Sequence, residues 1–263
     1  MNFGSRFRII RRRFRPLRPK GRLSLYIVRN WRRPPEEVFR GAWKIVDEAT
    51  AGTSVRRNFR KMPVRHIQHY NLRQVIKSVL PEFVPQVLID PSIIEALQAG
   101  PSVIATIHSR SEYAICAALD KAGLASAVIT ADRMDPIDVD NYGFGTAPLC
   151  IRRDRNVFLE ARIALKDGRA IICDVDYVMD KHGPDQALYV SASFFAFQQA
   201  VRAKLYFGYT NISEDGRIEC IVVPGSGEGL SPEEAAREFI DFIDRMQGAK
   251  SGLRIGTWRP ESS

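Results

Sequence analysis

The sequence lacks several features that would place it directly in a class of protein. No uninterrupted apolar run reaches the roughly 18–20 residues of a membrane-spanning helix, and the N-terminal segment lacks the apolar stretch of a secretory signal. The four cysteines are scattered and form no Cys-x-x-Cys pair, which argues against a zinc ribbon or a disulfide framework. We therefore expect a cytoplasmic protein, either soluble or peripheral to a membrane.

Motifs for covalent catalysis and for nucleotide binding are missing too. There is no Gly-x-Ser-x-Gly sequence, so a covalent acyl-serine intermediate is not indicated. The glycine-rich stretch 225–229 is too short for a phosphate-binding loop and has no Gly-Lys-Ser/Thr. His66 and His69 have the i, i+3 spacing of metal ligands, but no third ligand is near, so packing histidines are favoured. The sequence predicts neither a bound metal nor a cofactor.

Positive charge is concentrated at the start of the chain. Residues 1–50 hold 14 lysines and arginines against 4 acids, a net +10, while the whole chain carries +9, so residues 51–263 sum to −1. We predict a basic N-terminal arm over residues 1–33 and a single domain over residues 34–263. That domain divides into a helical lead-in (34–100), an α/β core (101–248) and a C-terminal tail (249–263).

The cations of the arm are interleaved with apolar and aromatic residues, namely Phe7, Phe14, Leu23, Tyr26, Ile27 and Trp31. Near an anionic membrane each cation contributes about 1 kcal/mol, and aromatic rings settle at the interface. A solvated, poorly ordered terminus is the simplest alternative. Nucleic acid would attract the same charges, but the body has no recognisable nucleic-acid module. We predict an anionic membrane surface as the partner and no nucleic acid.

Short apolar runs alternate with amphipathic stretches through the core. Val103–Ile107 is a continuous run of apolar or β-branched residues, as in a strand buried on both faces. Further strands are predicted at 127–130, 148–151 and 169–173, with helices at 110–122, 154–166 and 191–203. This alternation favours βαβ units, and strands 205–209 and 218–223 form an antiparallel pair. The predicted fold class is α/β, with a mixed, mainly parallel central sheet flanked by helices.

Polar residues cluster where three of these strands end, at 108–112, 152–155 and 174–176. The carboxyl ends of parallel strands share one edge of a sheet, where ligand and catalytic groups gather. A histidine beside a carboxylate can act as a general base, and arginines can hold a phosphate or an oxyanion. The pattern predicts an acyl- or phosphoryl-transfer site in which His108 activates an acceptor hydroxyl for direct attack.

The order of these motifs supports a family resemblance. A strand ending in His108 with Glu112 after it is followed by Arg133 and Asp-Pro-Ile-Asp, then by Arg-Asp before a helix ending Ala-Leu-Lys-Asp-Gly168, and finally by Asp174-Val-Asp-Tyr177. From about residue 100 to residue 200 the chain resembles the bacterial lipid A biosynthesis acyltransferases of the lauroyl/myristoyl type, within the lysophospholipid acyltransferase superfamily. It departs from that family by having three, not four, residues between histidine and acid, and a basic arm where an apolar anchor helix is usual.

The resemblance implies a glycerolipid-acyltransferase-like fold and a specific reaction. A fatty acyl group would pass from acyl carrier protein or coenzyme A to a hydroxyl of a lipid acceptor, at the cytoplasmic face of the inner membrane, without a further cofactor. His108 would be the base and Glu112 the acid that orients it. The predicted substrate-binding residues are Arg110, Arg133, Arg152, Arg153, Asp174 and Asp176.

Two alternatives remain open at the level of sequence. Ser109-x-x-Glu112 is also a capping box for the following helix, in which case Asp174 or Asp176 would orient His108 instead. The shortened spacing also fits a catalytically inactive homologue that binds lipid or acyl carrier protein without turnover.

Overall fold

The structure, a computed structural model, describes residues 20–50, 72, 76, 84, 86–108, 113–130, 142–178, 188–226, 229–248 and 250–256. Its helices are α1 (Lys20–Asn30), α2 (Pro35–Thr50), α3 (Pro91–Gln98), α4 (Tyr113–Lys121), α5 (Val157–Lys166), α6 (Ala192–Ala200) and α7 (Pro232–Gln247). Its strands are β1 (Val87–Ile89), β2 (Ser102–Thr106), β3 (Ser126–Thr130), β4 (Leu149–Arg152), β5 (Ala170–Asp174), β6 (Asp176–Val178), β7 (Leu188–Ser191), β8 (Lys204–Ile212), β9 (Ile218–Pro224) and β10 (Arg254–Gly256).

Seven strands form the central sheet, in the order β1-β9-β8-β2-β5-β3-β4. The five strands from β8 to β4 are parallel to one another. Strand β9 runs antiparallel to β8, and β1 runs parallel to β9. The predicted α/β class, with a mixed and mainly parallel central sheet flanked by helices, is confirmed.

Both faces of the sheet are covered by helices. All five residues of β2 are buried, and because successive side chains point to opposite faces, the run supplies two cores at once. Val103 and Ala105 belong to the core that includes residues of α5, α6 and α7, whereas Ile104 belongs to the core that includes α4. Burial of a side chain such as Ile104 stabilises the fold by about 1.5–3 kcal/mol. The continuous apolar pattern is thus explained by burial on both sides.

The carboxyl ends of the central strands come level with one another. Thr106 of β2 pairs with Asp174 of β5, and Thr130 of β3 pairs with Arg152 of β4. Pairing continues past the end of β5, because the Val175 N–H donates to the Thr106 carbonyl at 2.9 Å. Polar residues that lie 68 positions apart in sequence therefore meet at this edge, called here the carboxyl edge.

A second, three-stranded sheet continues from β5 beyond the carboxyl edge. Strand β7 pairs antiparallel with β6 and parallel with β10. These strands have three or four residues each, too few to give a periodic pattern. Sequence patterns accordingly miss this sheet, and part of the predicted tail 249–263 is strand β10.

Helices α1 and α2 pack together as a hairpin. Leu23 and Ile27, which we predicted to lie on a membrane surface, are buried with α2 residues in one apolar cluster. The prediction is wrong for these two side chains, since their i, i+4 spacing puts both on the face that α2 covers. Gly216, with φ of 88°, lies so near that a Cβ there would be 3.0 Å from the Phe39 ring. The hairpin therefore contacts the β8–β9 turn.

Side chains cap the starts of α3 and α7. Asp90 caps α3, and Ser231 with Glu234 forms a capping box at the start of α7. Helix α5 was expected to start at Asp154, but its N-cap is Asn156, whose N–H donates to the Asp154 carboxylate at 2.7 Å. His66 and His69 lie outside the described residues. Within the described ranges, no helix is both long and apolar enough to cross a bilayer.

Candidate active site

His108 leaves the end of β2 with one ring nitrogen fixed by a buried carboxylate. Its Nδ1 lies 2.8 Å from Asp176 Oδ1, and the same oxygen accepts the backbone N–H of His108 at 2.8 Å. The Asp176 side chain is only 5% exposed, while that of His108 is 24% exposed. Because an ionised carboxylate only accepts hydrogen bonds, its partner Nδ1 carries the proton. Nε2 is then the ring nitrogen that can accept a proton from a substrate.

A second carboxylate, Asp174, lies on the Nε2 side of the ring. Its Oδ2 is 3.8 Å from His108 Nε2, too far for a hydrogen bond but close enough for strong attraction to an imidazolium. Its Oδ1 accepts the Thr106 hydroxyl at 2.5 Å. The Asp174 side chain is 8% exposed, so both carboxylates near His108 are held away from solvent by their neighbours in the fold.

These two carboxylates raise the pKa of His108 to about 9. Burial works in the other direction, but the charges of Asp176 and then Asp174 outweigh it. Burial likewise opposes ionisation of Asp176, yet the charge and hydrogen bond of His108 lower its pKa below the ordinary value. His108 is consequently an imidazolium at neutral pH, and becomes a strong base once that proton is removed.

Arg153 joins the end of β4 to the end of β5. Its guanidinium donates a hydrogen bond to the Asp174 carbonyl, and its backbone N–H donates to the Thr130 carbonyl at 3.1 Å. Its positive charge acts on His108 as well, opposing protonation of the ring. Arg152, by contrast, is exposed on the edge strand, and three strand spacings of about 4.8 Å place it roughly 14 Å from β2.

The structure thus brings together part of the predicted set of site residues. His108, Asp174, Asp176 and Arg153 meet at the carboxyl edge, whereas Arg152 lies at its periphery. The remaining predicted site residues, Glu112, Arg110 and Arg133, lie outside the described residues, and their roles stay predictions. Of the two described alternatives for orienting His108, Asp174 and Asp176, it is Asp176 that lies within hydrogen-bond distance of the ring.

Sequence patterns did not single out Thr106, although a usable signal exists. Alternation along a strand puts Thr106 and His108 on one face, and in the same way puts Asp174 and Asp176 on one face. Two such polar pairs at the ends of neighbouring parallel strands predict a four-residue cluster. Recognising it requires knowing that β2 and β5 are neighbours.

An apolar cavity opens on the face of the sheet covered by α5 and α6, with Arg153 and Asp174 of this cluster in its lining. Its volume is about 30 Å³, which is room for about two water molecules. Its walls include Ile129, Val157, Phe158, Val175 and Phe194, and Arg153 and Asp174 are its charged residues. Cys173 also lines it, but burial raises the pKa of that thiol to about 12, so it stays protonated.

A scan against models of known protein families found no match, and a search of curated proteins found none either. In the part of the chain that the structure describes, no group of three or more His, Cys, Asp or Glu side chains is arranged to hold a metal ion.

Proposed function

We propose that the protein is an acyltransferase with a glycerolipid-acyltransferase-like fold. It moves a fatty acyl group from acyl carrier protein or coenzyme A to a hydroxyl of a lipid acceptor, at the cytoplasmic face of the inner membrane. The observation that carries the proposal is His108 at the carboxyl edge, its Nδ1 on the buried Asp176 carboxylate. The order of motifs from residue 100 to residue 200 supports the same reaction class.

In the proposed reaction, neutral His108 acts through Nε2. The acceptor hydroxyl attacks the thioester carbonyl carbon while its proton passes to Nε2, and Asp176 stabilises the imidazolium that forms. The tetrahedral intermediate collapses by breaking the carbon–sulfur bond. The departing thiolate takes the proton back from Nε2, so the products are an ester and a free thiol, and His108 is neutral again.

Arg153 has a role in binding negative charge. A guanidinium carries five N–H donors, so the contact with the Asp174 carbonyl leaves others for a second partner. That partner is the oxyanion of the intermediate or a phosphate of a substrate, either of which an arginine holds with charge-assisted hydrogen bonds.

The apolar walls of the cavity suit the start of a fatty acyl chain, and the cavity would have to widen to hold more of it. Burial of each methylene contributes about 0.8 kcal/mol, and five of the ten lining residues are Ile, Val or Phe. Asp174 lines the cavity as well as facing His108. Alternation along β2 and β5 puts His108 on the opposite face of the sheet, so a chain in the cavity would reach it around the carboxyl edge.

The α1–α2 hairpin offers a membrane contact at the same edge. Leu25 and Trp31 are 47% and 39% exposed, and Arg29, Arg32 and Arg33 beside them are exposed as well. Cations and an interfacial aromatic suit an anionic bilayer. Ion pair Arg40–Asp215 joins the hairpin to the β8–β9 turn, so a bilayer against the hairpin would lie near the carboxyl edge.

One observation favours a second candidate function. With a pKa of about 9, His108 is protonated at neutral pH, and an imidazolium beside Arg153 can bind an anion without accepting a proton. An inactive homologue that binds lipid phosphate or acyl carrier protein would use the site in this way.

A measurement of acyl transfer into a total lipid extract distinguishes an acyltransferase from an inactive binding protein. Labelled acyl-carrier-protein and acyl-coenzyme-A donors are supplied to wild type, His108→Ala and Asp176→Asn, with Asp215→Asn as a control in the β8–β9 turn. We expect transfer by wild type and by the control, and strong loss in the other two variants. Folded wild type that transfers from neither donor would favour the binding protein.

A further inference from the structure

One oxygen of the buried Asp174 carboxylate receives no hydrogen bond from the residues that the structure describes. Its Oδ1 accepts the Thr106 hydroxyl, and Arg153 donates to the Asp174 backbone carbonyl, not to the carboxylate. Oδ2 lies 3.8 Å from His108 Nε2, which is too far for a hydrogen bond. The Asp174 side chain is 8% exposed, and buried polar atoms are nearly always paired. An unpaired carboxylate oxygen beside the reactive ring nitrogen indicates a place where a substrate donates a hydrogen bond.

Contacts with neighbouring residues fix the two atoms that a substrate would meet. Thr106 and Asp174 are partners in the parallel pairing of β2 with β5, which brings the Thr106 hydroxyl within 2.5 Å of Oδ1. Asp176 occupies the other side of the imidazole ring, with its Oδ1 2.8 Å from Nδ1. His108 Nε2 and Asp174 Oδ2 therefore adjoin the same space. The His108 side chain is 24% exposed, so a substrate can reach that space.

The reactive state of this site contains two hydrogen-bond acceptors. In neutral His108, Nε2 is an acceptor because Nδ1 carries the proton, and an ionised carboxylate is an acceptor only. A hydroxyl carries one hydrogen, so a simple alcohol that donates to Nε2 leaves Asp174 Oδ2 unpaired. A buried acceptor without a partner costs more than a typical hydrogen bond contributes. An acyl acceptor with a second hydroxyl close to the first therefore fits the site better than a simple alcohol does.

We propose that the acyl acceptor is a vicinal diol, in which the attacked hydroxyl donates to His108 Nε2 and the hydroxyl on the adjacent carbon donates to Asp174 Oδ2. In the gauche arrangement of such a diol, the two oxygens are about one hydrogen-bond length apart. Two nearly parallel hydrogen bonds then span the 3.8 Å between Nε2 and Oδ2. The second hydroxyl keeps its proton and remains free in the ester product. The inference rests on the proposed acyl transfer and narrows its acceptor from any hydroxyl to a diol.

Two other groups could supply the second hydrogen. An amine has more than one, but with His108 neutral the described site residues have two negative charges, on Asp174 and Asp176, against one positive charge on Arg153. Such a site stabilises an ammonium, whose nitrogen has no lone pair with which to attack the thioester. The other group is an amide N–H of the pantetheine arm. Its hydrogen bond to Oδ2 would make the reaction indifferent to a second hydroxyl on the acceptor.

Periodate treatment tests the class of acceptor without its prior identification, because periodate cleaves vicinal diols and leaves isolated hydroxyls intact. One portion of a total lipid extract is treated with periodate and then with borohydride, and a second portion with borohydride alone. We expect wild type to transfer labelled acyl groups into the second portion and at least about a hundredfold more slowly into the first, since a site that pairs a substrate hydroxyl rejects the analogue lacking it. Mass spectrometry of the labelled product shows whether the diol belongs to a glycerol or to a sugar.

Kinetics of Asp174 variants with the borohydride-treated extract test the assignment of the second hydrogen bond. Asp174→Asn removes the charge and keeps an oxygen for Thr106, whereas Asp174→Ala removes both carboxylate oxygens. We expect KM for the lipid acceptor to rise by about tenfold in Asp174→Asn and further in Asp174→Ala, with little change in KM for the thioester. Asp215→Asn, the same substitution in the β8–β9 turn, is the matched control and should keep the wild-type values. An unchanged KM for the acceptor in both Asp174 variants, folded by circular dichroism, overturns the assignment.

Failure of the inference and failure of the proposed function give different results. Wild type that transfers acyl groups into neither portion of the extract contradicts acyl transfer itself. Wild type that transfers into both portions at the same rate remains an acyltransferase, and that result overturns only the diol.

Discussion

Two ion pairs near the carboxyl edge have almost the same separation and very different surroundings. His108 Nδ1 lies 2.8 Å from Asp176, and Arg217 Nε in the β8–β9 turn lies 2.9 Å from Asp215. The first pair is 24% and 5% exposed, the second 48% and 15%. In the solvated pair, water screens the attraction, and such pairs contribute about 0–1 kcal/mol. Separation alone therefore does not distinguish a reactive pair from one that shapes a turn.

The two ion pairs differ in their degree of burial and in the residue type of the cation, which is histidine in the first pair and arginine in the second. An arginine stays charged at any ordinary pH, so the Asp215–Arg217 pair has one state and holds the turn, together with Ser213. A histidine changes charge near neutral pH, and the buried carboxylates move that change to a pKa of about 9. The comparison predicts that changes to the first pair alter chemistry, while changes to the second alter stability slightly.

The largest expected effect is the loss of transfer in His108→Ala. General acid–base groups contribute about 10²–10⁴-fold to a rate, so the initial rate of acyl transfer should fall by that factor. Arg217→Ala, the matched change in the surface pair, should keep the wild-type rate. Circular dichroism establishes that both variants are folded. A His108→Ala protein with the wild-type rate would remove the histidine from the mechanism.

Replacing the two aspartates separately ranks their influence on His108. In Asp176→Asn the amide oxygen can still accept the His108 hydrogen bonds, but the charge is gone, so the pKa of His108 should fall markedly. Asp174→Asn should lower it less, since that carboxylate lies 3.8 Å from the ring and makes no hydrogen bond to it. Titration of the His108 ring by NMR measures both shifts, and the reverse ranking would contradict the assignment of Asp176 as the orienting partner.

A stability effect of intermediate size is expected at Thr106. Thr106→Val removes the hydroxyl that donates to Asp174, leaving a buried carboxylate without that partner. The free energy of unfolding should drop by about 1–3 kcal/mol, read from urea denaturation. Thr106→Ser keeps a hydroxyl and serves as the control. A Thr106→Val protein as stable as wild type would contradict a stabilising role for this hydrogen bond.

The smallest effect, at Asp215, should depend on pH and salt. Its pKa is lowered to about 2, because hydrogen bonds from Ser213 and Arg217 outweigh burial. A lowered pKa stabilises the fold above the unfolded value of 3.8, and that stabilisation is lost as pH falls through about 2. Asp215→Asn should therefore cost at most about 1 kcal/mol at pH 7 in low salt. A thermal melt at pH 2 should show nearly no difference from wild type, and a gap that persisted there would have another origin.

The raised pKa of His108 gives the opposite trend with pH. Its pairing stabilises the fold fully below the ordinary value of 6.5, and the stabilisation is lost as pH rises through about 9. Wild type should therefore lose more stability than His108→Ala between pH 6.5 and pH 9 in urea denaturation. Parallel curves for the two proteins over this range would contradict the pairing.

The sequence predicts the central sheet well, because its strands and helices rest on local patterns. Short apolar runs indicate the strands, and the polar residues that follow three of them indicate the edge where the candidate site lies. Local patterns do not show which strands, distant in sequence, pair with each other. Asp176 reaches His108 through the register of β2 with β5, 68 residues apart, whereas the local spacing directs attention to Glu112.

The burial of individual side chains is also predicted poorly from the sequence pattern. Leu23 and Ile27 are predicted to face a membrane because arginines lie near them in the sequence, yet they pack against α2. Arg152 and Arg153 are neighbours with the same chemistry, but alternation sends one to solvent and the other to Asp174. Neighbouring residues of one type thus acquire separate roles only once the strand pairing is known.

The pH dependence of acyl transfer tests the central claim, that His108 held by Asp176 is the general base. Wild type and Asp176→Asn are compared between pH 6 and pH 10 with one acyl thioester and one lipid acceptor. For wild type we predict a kcat/KM that rises with pH and levels off near the His108 pKa of about 9. In Asp176→Asn the rise should end at a lower pH. Identical profiles in both proteins, or no transfer by folded wild type at any pH, would contradict the account.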